Sequence, residues 1–183
     1  MRKRVFLLTG SPSVGKTTVL AKAVELLKAQ GYSVGGMLSR EVREGGVRVG
    51  FEILDPASGR WGWLAHVNQK NGPLVGKYRV NLSDLEGIGA QAILDALAKS
   101  DVVAVDEIGP MELFSAKFKE ATRKALANDK PVLAVVHWKA QDRLVLEAKS
   151  RLDAETKVVT MENRELLPAA LASATVEFLE RCR

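Results

Sequence analysis

Residues 5–18 read VFLLTGSPSVGKTT, and this stretch decides how the rest of the chain is read. It opens as a short apolar run bounded by Gly10, the pattern of a strand buried on both faces. From Gly15 to about Gln30 the period changes. Val19, Leu20, Ala23, Val24 and Leu27 share one helical face, and Gly31 stands where a helix C-cap glycine belongs. Between strand and helix lie two glycines, a lysine and two threonines within GSPSVGKTT, residues 10–18.

That loop fits G-x-x-x-x-G-K-[ST] over Gly10, Ser11, Pro12, Ser13, Val14, Gly15, Lys16 and Thr17, with Thr18 following. Each residue type has a physical task there. Gly10 and Gly15 let the backbone curl until successive N–H groups point inward at an anion. Pro12 has no N–H, so Ser13 through Thr18 must supply most of that cradle. The helix N-terminus behind it adds roughly half a positive charge. Lys16 brings a mobile full charge to β- and γ-phosphates, and Thr17 offers a hydroxyl to Mg²⁺. Thr18 is placed to donate to an α-phosphate. The expected ligand is a nucleoside triphosphate with its magnesium ion.

Working outward, YSVGGMLSR (32–40) reads as a second strand. The segment 41–80 differs in being rich in glycine and aromatics. VRVGFEIL and RWGWLAHV flank the turn DPASG, which predicts an antiparallel β-hairpin insertion, with YRVN (78–81) as a further short strand. Trp61 and Trp63, two apart, share a face that is expected to cover the core. A helix follows from Ser83 to about Lys99. Then come a strand at 101–107, a helix at 111–127, a strand at 131–137 and a helix at 140–150. A strand at 156–161 and a helix from near Pro168 to about Arg183 close the chain. Strands alternating with helices predict an α/β fold, with a mostly parallel five-stranded central sheet covered on both faces. Ligands bind such sheets at the carboxyl ends of the strands. Gly10, Arg40, Asp106, Glu107 and His137 all fall there.

DVVAVDE (101–107) ends in two acids. Asp106 is placed to hold Mg²⁺ through a water beside Thr17. Glu107, one step on, is placed to orient or deprotonate an attacking water. DEIG also fits the D-x-x-G pattern of GTP-binding switch proteins. The only approach to their N-K-x-D base reader is NDKP (128–131), which reads as a helix-to-strand turn. The missing guanine reader predicts loose base selectivity.

The chain has 183 residues, 46% apolar and 27% charged, as expected of one globular domain of residues 1–183. No apolar run is long enough for a membrane span, and the short run at the N-terminus is too brief for a signal peptide. The single cysteine, Cys182, has no partner for an internal disulfide, which suits a cytoplasmic protein. A net charge of +5 leaves nucleic acid possible as a partner without favouring it, because acids are interspersed among the bases.

GSPSVGKTT, EVREGGVRVGF, VGKYRVN, DEIGPMELFSAKF and the late ENR (162–164) together resemble a small nucleoside-triphosphatase family of archaea and bacteria. That family has an animal relative called the cancer-related nucleoside triphosphatase. The resemblance covers nearly the whole chain. It implies a RecA-like core and Mg²⁺-dependent hydrolysis of several nucleoside triphosphates to diphosphate and phosphate. It also implies nucleotide contact along residues 10–18 and along Val102, Val103, Ala104, Val105, Asp106, Glu107, Ile108 and Gly109. The family often has an arginine after the strand-end histidine, where this chain has Trp138.

Further candidates border this centre. His137 is placed as a sensor of the γ-phosphate. Arg40 and Arg43 flank the insertion, where either would stabilise charge on the transferring phosphoryl group. Asn163 and Arg164 are placed to border the base. Glu112 caps or orients the loop after Asp106. Hydrolysis is the favoured activity, and two alternatives use the same loop. A small-molecule or polynucleotide kinase would need a lid of arginines, for which Arg143 and Arg151 are the candidates. A nucleotide-dependent RNA-binding module would draw on the positive charge.

Overall fold

The computed structural model describes residues 2–182. Met1 and Arg183, the latter the expected end of the last helix, lie outside the described residues. Strand β1 (Val5–Thr9) leads through the loop into helix α1 (Lys16–Ala29). Strand β2 (Val34–Glu44) is followed by β3 (Val47–Leu54), β4 (Trp61–His66), β5 (Leu74–Val75) and β6 (Tyr78–Val80). A short helix α2 (Leu82–Asp84), a π-helical segment (Leu85–Ala90) and helix α3 (Gln91–Lys99) come next. The chain continues through β7 (Val102–Ile108), a 3₁₀ turn (Glu112–Phe114), α4 (Ala116–Ala127), β8 (Val132–Val136), α5 (Arg143–Ser150), β9 (Ala154–Val158) and α6 (Leu167–Arg181).

Among the described residues the nine strands form one sheet in the order β5-β6-β4-β3-β2-β7-β8-β1-β9. Five of them, β2-β7-β8-β1-β9, are parallel, and β8 lies between β1 and β7. The 41–80 insertion is therefore an extension of the same sheet. β2 makes the join: Val34 to Met37 pair in parallel with β7, and Leu38 to Glu44 pair antiparallel with β3. Gly36 lies within the stretch that pairs with β7. A Cβ there would sit 2.1 Å from the Ala104 carbonyl oxygen, so the two backbones approach at a distance only glycine allows.

Side chains alternate across the strands into two cores. Phe6, Leu8, Val102, Ala104, Leu133 and Val135 face α1 and α6. Val5, Leu7, Val103, Val105, Val132 and Ala134 face α3, α4 and α5. Both faces are apolar, which is why these strands read as unbroken apolar runs.

Four expectations are corrected. The 83–99 helix is broken by the π-helical segment that contains Gly87 and Gly89. The 111–127 helix is two pieces, because Ser115 caps α4 by accepting a hydrogen bond from the Phe118 N–H at 3.0 Å. The last strand lies at 154–158 instead of 156–161. Its pairing with β1 begins at Val5 opposite Ala154, and as an edge strand its polar Glu155 and Lys157 mask it. Trp61 and Trp63 do not cover the core. Gly62 and Leu64 point inward, while Trp61 is 59% exposed. Among the described residues no helix is long and apolar enough to cross a membrane.

Candidate functional site

The loop after β1 is held open by its backbone. Gly10 has φ +144°, Ser13 +62° and Gly15 +111°. A Cβ on Gly10 would lie 2.8 Å from the Val159 carbonyl oxygen, so a side chain is excluded on space as well as on φ. Gly15 occupies the N-cap of α1 without a side chain to cap it, and no acid stands in the first turn. The leading amides of α1 are thus left to an anion. The Lys16 ammonium bends back over the loop and donates to the carbonyls of Gly10 (2.7 Å) and Ser11 (3.0 Å).

β7 delivers the acids. Val102, Val103, Ala104, Val105 and Ile108 are fully buried in the two cores, so they carry the site without lining it. The register against β8 shifts between Val105 and Ile108, at the two acids. Asp106 is 2% exposed. The hydroxyls of Thr17 and Ser39 lie against its carboxyl group, while its Oδ2 is buried with no hydrogen-bond partner. Burial pushes Asp106 up to about 7, with Glu107 adding to the rise and Thr17, Ser39 and Lys16 opposing it. Burial also raises Glu107, against the opposing pull of His137 and Lys16. These acids are therefore within electrostatic reach of the loop lysine.

His137 follows β8. Its backbone N–H donates to the Ile108 carbonyl (3.1 Å), and its Nδ1 accepts from the Lys139 N–H (3.2 Å). That bond puts the proton of the neutral ring on Nε2. Trp138 turns out to solvent, with the Lys139 ammonium 4.7 Å from its ring centre.

On the other side of the loop, a cleft of about 220 Å³ is lined by Gly15, Thr18, Val19, Lys22, Arg164 and Glu165. Arg164 leans on the loop: Nη1 donates to the Val14 carbonyl at 3.4 Å. Glu165 stands between Lys22 (3.7 Å) and Arg164 (3.8 Å). The Asn163 amide is turned to its own backbone, with Oδ1 accepting from the Thr160 N–H (2.8 Å) and Nδ2 donating to the Val158 carbonyl (2.8 Å).

The structure thus gathers the loop, Asp106, Glu107, His137 and Arg164. It does not bring Arg40 or Arg43 to them. Arg40 is paired with Glu52 at 2.5 Å on a largely exposed side chain. Arg43 is held at the β2–β3 tip by Glu41 (2.9 Å) and the Gly46 carbonyl (3.0 Å). Nor are the lid candidates free: Arg143 pairs with Glu147 (2.6 Å) and Arg151 with Asp153 (2.8 Å). In NDKP the Asn128 Oδ1 accepts from the Lys130 N–H at 3.1 Å, the turn expected there. Ser39 was not among the residues expected at this site. Its signal was a hydroxyl directly after the apolar stretch 34–38 of β2, but only the pairing of β2 with β7 places it beside Asp106.

A family model described as NTPase matches residues 5–172. The nucleoside-triphosphatase THEP1 of Thermofilum pendens is 48% identical over 99% of this chain and all of its own length. That of Methanosarcina acetivorans is 47% identical over 91% of this chain and 93% of its own. Among solved structures, THEP1 from Aquifex aeolicus superposes with a TM-score of 0.83 at 30% identity, covering 93% of this chain and 98% of that one. A human cancer-related nucleoside triphosphatase gives 0.77 at 35% identity, covering 96% and 98%. With a phosphate-loop α/β fold and matches along nearly its full length, the chain belongs to this nucleoside-triphosphatase family.

Proposed function

We propose that the protein hydrolyses nucleoside 5′-triphosphates to diphosphate and phosphate, with Mg²⁺ and with little preference among bases. The observation that carries this reading is the unpartnered, buried Oδ2 of Asp106, set against the Thr17 hydroxyl beside an uncapped helix N-terminus. An orphaned carboxylate oxygen and a hydroxyl are hard donors suited to Mg²⁺, which keeps several waters and needs few protein ligands. Asp106 and Thr17 would hold the ion. When bound, it neutralises charge on the β- and γ-phosphate oxygens.

The remaining roles belong to the chain's own groups. The amides of the loop and of the first turn of α1 receive the phosphates. Lys16 exchanges its loop carbonyls for β- and γ-oxygens, a stronger charge-assisted pairing. Glu107, raised by burial, is suited to take a proton from the attacking water. His137 holds Nε2–H as a donor for a γ-oxygen.

Loose base choice follows from the cleft beside α1. The Asn163 amide is committed to backbone, and Arg164 offers a flat guanidinium on which any base can stack. Phosphate release from ATP, GTP, CTP and UTP, with Mg²⁺ and with EDTA, tests the proposal. The four kcat/KM values are expected within about tenfold, since only a site built to hydrogen-bond a base edge reaches discrimination of about 10⁴. EDTA should stop turnover. Phosphate release that needed an added acceptor, or that ignored EDTA, would refute the reading.

A further inference from the structure

Where the Glu107 carboxyl group lies is decided two residues further on. A Cβ built on Gly109 would stand 2.6 Å from the Glu107 Oε1, 2.9 Å from its Cγ and 3.0 Å from its Cδ. The three nearest neighbours of that position are therefore atoms of one side chain. Gly10 and Gly36 differ, because a Cβ on either would meet backbone first. Nor do its dihedral angles call for glycine: unlike Gly10 and Gly15, Gly109 does not have a positive φ. An added methyl group would compete only for the space that the Glu107 side chain fills.

The backbone around Gly109 has little room to yield instead. On one side, the Ile108 carbonyl accepts from the His137 N–H (3.1 Å), which ties the segment to the end of β8, and the Ile108 side chain is fully buried. On the other, the Gly109 carbonyl accepts from the Leu113 N–H (3.0 Å), which fixes the turn into the 3₁₀ segment. Pro110 follows, its φ set by the ring. Glu107 is thus the part that must move. Its stem as well as its tip lies within contact distance, so making room takes a change of rotamer.

We propose that Gly109 is a positioning residue: its missing side chain is the space in which the Glu107 carboxyl group lies when it faces the attacking water. This rests on Glu107 being the general base. Alanine keeps the Gly109 N–H, so a hydrogen bond from that amide to a phosphate would survive the substitution and only the space is lost. The effect should therefore fall on kcat and leave nucleotide affinity in place.

The test is Gly109→Ala, alone and combined with changes at Glu107. Alone, it is expected to lower kcat about 10–100-fold, as a misplacement near 1 Å does, with KM for ATP within about twofold. In a Glu107→Gln background it should slow phosphate release by less than about twofold, because no base remains to be misplaced. In a Glu107→Ala background, where the crowding atoms are gone, it should leave the melting temperature where Glu107→Ala alone puts it. That readout needs no activity, and it decides the matter if Gly109→Ala by itself fails to fold. Wild-type kcat in Gly109→Ala, an equal loss of rate with and without the Glu107 carboxylate, or a fall in melting temperature that persists in the Glu107→Ala background overturns the proposal. Glu107→Gln alone separates the two claims. Wild-type turnover there means that the base assignment has failed, whereas a slow Glu107→Gln beside a fully active Gly109→Ala means that only the role of Gly109 has.

Discussion

The two ends of the parallel sheet both bury charge, and they treat it in opposite ways. At the amino end, Arg4 is 7% exposed and bonded through all three guanidinium nitrogens. Its guanidinium donates to Asp153 (2.8 Å), the Lys130 carbonyl (2.8 Å) and the Leu126 carbonyl (2.6 Å). Lys130 in turn donates to the Ser100 carbonyl at 2.6 Å. A cleft of about 260 Å³ there is lined by cations already in use: Lys3 donates to the Leu152 and Ala154 carbonyls, Arg2 to the Arg181 carbonyl, and Arg181 pairs with Glu177. At the carboxyl end, the Asp106 Oδ2 and the Thr9 hydroxyl are buried without partners, and Asp106, Glu107 and Glu112 crowd together. Buried polar groups are normally satisfied, so the unsatisfied end is the one kept for a ligand. A cleft alone does not tell the two ends apart; the state of the groups lining it does.

Substitutions at the two ends should have opposite consequences. The largest effect is expected at the carboxyl end. Lys16→Ala should lower kcat/KM about 10³-fold or more, the scale of a charge acting on the transferring phosphoryl group. It should also weaken nucleotide binding while leaving the melting temperature nearly unchanged.

Arg4→Ala should do the reverse. It leaves the Lys130 and Leu126 carbonyls without their donor while Asp153 keeps Arg151, so a loss of about 1–3 kcal/mol in denaturant unfolding is expected, with kcat of the folded protein retained. The same clamp sets an acid response. Burial raises Asp153, but hydrogen bonds from Arg151 and Arg4 outweigh it and hold the carboxyl group below its ordinary value. Its contribution is full above the ordinary carboxylate value and is lost as pH falls through the lowered one. Unfolding measured over that acid window should therefore lose a component that Asp153→Asn lacks.

The smallest effect is expected at Arg40. Arg40→Ala removes a pair between an exposed guanidinium and the largely buried Glu52 side chain, costs about 1 kcal/mol, and should leave kcat within about twofold. A large drop in kcat would mean that the β2–β3 arm closes over the nucleotide during turnover.

Legibility in the sequence followed the same division. The β1–loop–α1 unit could be read because its chemistry lies within one contiguous segment, as could the β7 acids. Residues that act across strands could not. Ser39 meets Asp106 only because β2 pairs with β7, and Glu112, expected only to cap or orient the loop after Asp106, is buried near the β7 acids by a 3₁₀ turn hidden inside an apparently continuous helix. The strands of the insertion were visible, but not their addition to the main sheet, because β2 switches partner midway between Met37 and Leu38. Arg40 and Arg43 resembled Arg164 in sequence terms, each being an arginine near a strand end. Only packing shows that Arg164 reaches the loop while the other two are paired in the insertion. Trp61 and Trp63 were misplaced because alternation groups them on one face without saying which face is covered.

Activation of water at the end of β7, against a triphosphate lying on the loop, can be isolated in Glu107→Gln. ATP affinity with Mg²⁺ and single-turnover phosphate release are measured on the same variant. Wild-type affinity with hydrolysis slowed about 10²–10⁴-fold is expected. Phosphate release within a few-fold of the wild-type rate would contradict it.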